Sequence, residues 1–121
     1  VWCWGDNASA QLGPNAGRDP KRGTPVEVEG LAGVVELAGG SDHTCARLQS
    51  GRAMCWGSNA AGQLGQRSTV TRLAEPTAVR GMSDAIDLAL GEHHTCALRK
   101  TGEIACVGDP EHGALGPYRL I

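Results

Sequence analysis

Apolar residues in this chain fall in short runs bounded by glycine, and nowhere at the three-to-four spacing of an amphipathic helix. Val34 to Ala38 and Ile86 to Leu90 are two such runs. Thr44 to Leu48 and Arg52 to Trp56 flank Gln49-Ser50-Gly51, and Thr95 to Arg99 and Glu103 to Val107 flank Lys100-Thr101-Gly102. A three-residue connection between strands commonly takes a type I turn followed by a left-handed residue, where glycine is least strained. Each pair of segments therefore predicts a β-hairpin. One more strand is predicted over Pro25 to Glu29, after a long loop, because a proline at its start suits a sheet edge.

The pattern repeats. His43-Thr44-Cys45-Ala46 returns 51 residues later as His94-Thr95-Cys96-Ala97, and Gly51, Cys55 and Gly57 return as Gly102, Cys106 and Gly108. Upstream, Pro25, Val28 and Gly30 return as Pro76, Val79 and Gly81. An earlier copy is represented by its tail: Cys3-Trp4-Gly5-Asp6-Asn7 to Gln11-Leu12-Gly13 matches Cys55-Trp56-Gly57-Ser58-Asn59 to Gln63-Leu64-Gly65. Four short strands per repeat predict an all-β fold, a partial β-propeller of four-stranded antiparallel blades. The expected division is residues 1–30 as the last two strands of a preceding blade, 31–81 as a complete blade, and 82–121 as the first strands of a third. Because Val1-Trp2-Cys3-Trp4 reads like the middle of a strand, the chain is expected to be a fragment whose remaining blades, or a second copy, would cover two open faces.

The string Cys55-Trp56-Gly57-Ser58-Asn59 through Gly62-Gln63-Leu64-Gly65, then Pro76 and Val79, then Gly91 and His94-Thr95-Cys96-Ala97-Leu98, resembles the regulator of chromosome condensation repeat. Its paired cysteines resemble bacterial members in particular. The resemblance covers essentially the whole chain and implies a propeller of about seven blades that acts as a binding platform. Two departures stand out. Val107, Pro110 and Ala114 replace the Trp, Asn and Gln of the repeat, and Arg47 stands where the next copy has Leu98.

Counting outward from each turn places Cys45 opposite Cys55 and Cys96 opposite Cys106, with Arg99 opposite Glu103. Directly opposed, non-hydrogen-bonded residues have Cα atoms about 4.5 Å apart, within reach of a disulfide. Each bond would stabilise by on the order of 2–3 kcal/mol. Cys3 is left as the unpaired thiol. The competing reading is zinc held by His43, Cys45 and Cys55 and by His94, Cys96 and Cys106, but the set contains no C-x-x-C spacing. No metal and no cofactor are expected, and His43 and His94 are expected to bond backbone at the strand entrance. Two registered cysteine pairs predict an extracellular, periplasmic or cell-envelope location.

Composition narrows the function. The 121 residues hold 18 glycines and no phenylalanine, and the net charge is −2, so no overall charge favours nucleic acid or a membrane surface. No apolar run has the roughly 20 residues needed to span a bilayer. Ser41-Asp42-His43 contains triad residue types, but consecutive residues cannot form a relay, and the second copy has Gly91-Glu92-His93 instead. An enzyme is not expected. What differs between copies is the long loop, where Arg18, Lys21 and Arg22 in one and Arg67 and Arg72 in the next predict a modest basic strip. Trp2, whose counterparts are Met54 and Ala105, is a further candidate contact. The expected activity is non-catalytic binding of a protein or glycan through these loops. The alternative is the exchange-factor and chromatin-binding role of nuclear members of the resembling family, against which the paired cysteines weigh.

Overall fold

A computed structural model describes residues 1–6, 9, 11–13, 21–28, 31–65, 71–79 and 81–108, with the backbone alone at 2, 4–6 and 21–26. The described strands are β1 (Trp2–Asp6), β2 (Lys21–Glu27), β3 (Val34–Gly39), β4 (His43–Leu48), β5 (Ala53–Ser58), β6 (Arg72–Ala78), β7 (Ala85–Leu90), β8 (His94–Arg99) and β9 (Ile104–Gly108). They form three antiparallel sheets in the orders β1-β2, β3-β4-β5-β6 and β7-β8-β9. The architecture is a partial β-propeller.

Both predicted hairpins close through the same turn. Leu48 N donates to Arg52 O at 2.9 Å and Gly51 N to Leu48 O at 2.9 Å, with Gly51 at φ 95°. Arg99 N donates to Glu103 O at 2.8 Å and Gly102 N to Arg99 O at 2.9 Å, with Gly102 at φ 90°. The register pairs Cys45 with Cys55 and Cys96 with Cys106.

The outermost strands begin earlier than their prolines predict. β2 starts at Lys21 and β6 at Arg72, so Lys21, Arg22 and Arg72 lie in strands and not in loops. The reason is a register irregularity in both sheets, between Cys3 and Gly5 and between Cys55 and Gly57. Pro25 and Pro76 fall at these interruptions, on edge strands, where the ladder does not require their missing N–H. Beyond them pairing resumes, with Asp6 opposite Lys21 and Ser58 opposite Arg72.

Alternation along β4 and β5 gives the middle sheet two apolar faces. Ala46 and Trp56 pack with Val28, Val1, Cys3, Leu31 and Val34 on the side of β1-β2. Cys45, Ala53 and Cys55 join Leu64, Leu88, Ala97 and Val107 in the core shared with β7-β8-β9. Leu88, at 8% exposure, is sealed in that joint, whereas its repeat equivalent Leu37 is 51% exposed.

The two turn glycines differ in one respect that a matched substitution reads out. A Cβ at Gly51 would stand 2.6 Å from Ser83 O of the next sheet, but at Gly102 it would meet nothing within 4 Å. Gly102→Ala is expected to cost about 1 kcal/mol, for the left-handed backbone alone. Gly51→Ala should cost about 2 kcal/mol, because the Ser83 bend must also shift. Denaturant unfolding of the two variants measures the difference, and equal losses would mean that Ser83 does not press on this turn.

Candidate functional site: buried joints and a basic outer edge

The residues of the repeat signature meet where one sheet stacks on the next. Trp56 is fully buried, and its indole Nε1 donates to Gln11 O at 2.8 Å. Thr44 Oγ1 donates to the same carbonyl at 3.0 Å. One repeat on, Thr95 Oγ1 donates to Gln63 O at 2.7 Å, with Val107 in the position of Trp56. The amide side chains hold these turns in shape: Gln11 Oε1 accepts from Ser9 N and Gln63 Oε1 from Ala61 N, each at 2.8 Å. The Gln-Leu-Gly segments thus present a backbone carbonyl to the following sheet.

Beside the backbone contact expected of it, His43 reaches a side chain that the sequence did not reveal. Its Nε2 lies 2.9 Å from Thr95 Oγ1 of the neighbouring sheet. Burial lowers its pKa to about 4, with partial compensation from a His94 backbone hydrogen bond and from Asp42. The ring also packs on bare backbone, since a Cβ at Gly40 would stand 2.7 Å from His43 Nδ1.

Cys45 is joined to Cys55 and Cys96 to Cys106, each across a strand pair with Cα atoms 4.1 Å apart. These thiols are therefore unavailable as metal ligands. Among the described residues, no group of three or more His, Cys, Asp and Glu could hold a metal ion. Cys3 is free and half-buried against Leu12, and burial raises its pKa.

The basic positions are only partly brought together. Arg18 and Arg67 lie outside the described residues. Lys21 and Arg72 are repeat equivalents, each opening the outermost strand of its sheet, and Arg72 is exposed. Arg22 follows Lys21 opposite Gly5, and Trp2 opens β1 opposite Glu27. Arg99 lies 3.8 Å from Glu103, but its closer partner is Asp84, at 2.9 Å. Arg47 pairs with Glu36 at 2.7 Å. Two features escaped sequence reasoning: the His43–Thr95–Gln63 relay, and Asp84, whose repeat counterpart is Gly33. No helix among the described residues is long and apolar enough to cross a membrane.

The regulator of chromosome condensation (RCC1) repeat matches residues 1–47 and 50–98, and a second description of the same repeat matches residues 34–63 and 85–114. The probable E3 ubiquitin-protein ligase HERC6 of Homo sapiens is 32% identical over 123 residues, covering 96% of this chain. The chain spans 12% of that protein's length. Human WBSCR16 superposes with a TM-score of 0.80 at 23% identity, over 93% of this chain and 30% of the other, a likeness of fold. Prp20p of Saccharomyces cerevisiae, reported together with its binding properties to Gsp1p and histones, superposes with a TM-score of 0.67 at 25% identity. That match covers 89% of this chain and 26% of Prp20p.

Proposed function

This chain belongs to the regulator of chromosome condensation (RCC1) repeat family, and we propose that it serves as a non-catalytic propeller module that binds a protein partner through its outer edge. The observation that carries the reading is the division of labour within the repeat. The signature residues Thr44, Trp56, Thr95 and His43 are spent on joints between sheets. Lys21 and Arg72, by contrast, sit at equivalent starts of neighbouring outer strands, on the periphery. Repetition of a cation from one blade to the next suits an extended acidic surface better than a small ligand. The same reading takes residues 31–81 as one complete blade, supported by four paired strands between Val34 and Ala78, with 1–30 and 82–121 as parts of its neighbours. It places the protein in an oxidising compartment, outside the cell or in its envelope, supported by the two cross-strand disulfides.

A polyglutamate peptide is the simplest probe. Binding to the intact chain should weaken several-fold in Lys21→Glu/Arg72→Glu, and raising the salt to about 0.5 M should mimic the loss, because exposed charges are screened beyond the Debye length. Unchanged binding in the double variant would remove the outer edge as the interface. Retention of an uncharged glycan, with no response to polyglutamate, would replace the protein partner with a carbohydrate.

The binding of Prp20p to Gsp1p and histones supports a second reading, in which this module also engages a nuclear protein partner. Histone binding unaffected by Lys21→Glu/Arg72→Glu would favour it, because a basic partner would not seek a basic edge.

A further inference from the structure

We propose that the joint between the middle sheet and β7-β8-β9 is an acid-released latch in which His43 is the switch. The hydrogen-bond chain fixes its chemistry. Thr95 Oγ1 commits its single hydrogen to Gln63 O, at 2.7 Å. The hydroxyl must therefore accept from His43 Nε2 at 2.9 Å, which places the imidazole proton on Nε2 and leaves Nδ1 as a lone pair. His43 Nδ1 is buried and has no hydrogen-bond partner. It lies against the Gly40 backbone, where a Cβ would stand 2.7 Å from it.

Protonation would add a hydrogen at Nδ1, which has no hydrogen-bond partner, and a charge on a ring that is only 1% exposed. The titratable groups that act on the ring are Asp42, preceding it on its own sheet, and His94 and His93 from the opposing sheet. Asp42 favours the cation, whereas the two histidines oppose it once they are charged. Burial outweighs all three and holds the pKa near 4, against an ordinary 6.5. The unfolded chain therefore takes up a proton between about pH 6.5 and 4 that the folded chain refuses, and stability falls with acidification across that window. Above 6.5 the latch is fully closed, and below 4 this group exerts no further effect. Toward β1-β2 the corresponding ties among the described residues are the Trp56 indole and the Thr44 hydroxyl, neither of which takes up a proton in this range.

Imidazole NMR of the intact chain tests the assignment without any substitution. His43 should show the Nε2–H tautomer at pH 7.5 and remain neutral at pH 5, where exposed histidines are charged. An Nδ1–H tautomer, or titration near 6.5, would overturn the proposal. Denaturant unfolding at several pH values supplies the second arm. The folded-to-unfolded ratio should fall by about 150-fold between pH 7.5 and 4 on account of this residue. His43→Gln, which keeps a donor for Thr95, should flatten the profile, and His94→Gln should leave most of it. An undiminished pH slope in His43→Gln would assign the effect to other groups.

Discussion

Trp56→Ala is expected to destabilise the chain by about 3–5 kcal/mol, the range for removing a fully buried large aromatic side chain. The indole has no exposed surface and fills the joint with Val28, Ala46 and Val34. Its polar end contributes less than its volume. Gln11 O, which accepts from Trp56 Nε1, also accepts from Thr44 Oγ1, so truncation does not strip that carbonyl of its partners. Trp56→Phe, which keeps a ring and loses the donor, should therefore cost only about 1–2 kcal/mol. Small domains commonly hold about 5–15 kcal/mol in total, so the alanine variant sits near the edge of folding. Urea unfolding of the three proteins measures the series. A loss below about 1 kcal/mol for Trp56→Ala would mean that the joint does not depend on the indole.

Gly40→Ala should cost about 3 kcal/mol, at the upper end for overpacking, whereas Gly39→Ala should be close to neutral. Neither glycine has a positive φ, so backbone strain does not separate them. Space does. A Cβ at Gly39 would meet nothing within 4 Å, while one at Gly40 would stand 2.6 Å from Gly91 O and 2.7 Å from His43 Nδ1. The carbonyl is backbone of the adjoining sheet, and the imidazole is held by Thr95, so neither gives way easily. An Ala in place of Gly ordinarily stabilises by restricting the unfolded chain. Thermal unfolding of the two variants decides, and equal melting temperatures would show that the ring does not rest on Gly40.

The hairpins were legible in the sequence because turn length fixes register and the side-chain period of a strand is two. Once Gly51 and Gly102 are placed at the turns, Cys45 and Cys96 have only one opposite residue each. The outer strands were less legible, since Pro25 and Pro76 resemble boundaries unless the irregularities after Cys3 and Cys55 are known. The relay from His43 through Thr95 to Gln63 was hidden for a different reason. Its members come from successive repeats, and a repeat aligned with itself shows which residues recur but not which copies touch. Arg99 illustrates the same limit. Strand pairing offers it Glu103, but the stronger partner, Asp84, comes from the bend before β7.

Each disulfide closes within one hairpin, Cys45 to Cys55 or Cys96 to Cys106, and neither crosses from one sheet to another. Under tension along the chain, the described structure is thus a series of locked links joined by couplings that hydrogen bonds and side-chain packing alone maintain. Pulling would part the couplings first, and the hairpins would each withhold roughly 3 nm of contour length at any force that leaves covalent bonds intact. A reductant would release that hidden length, so the redox state of the surroundings would set how far the chain can be stretched.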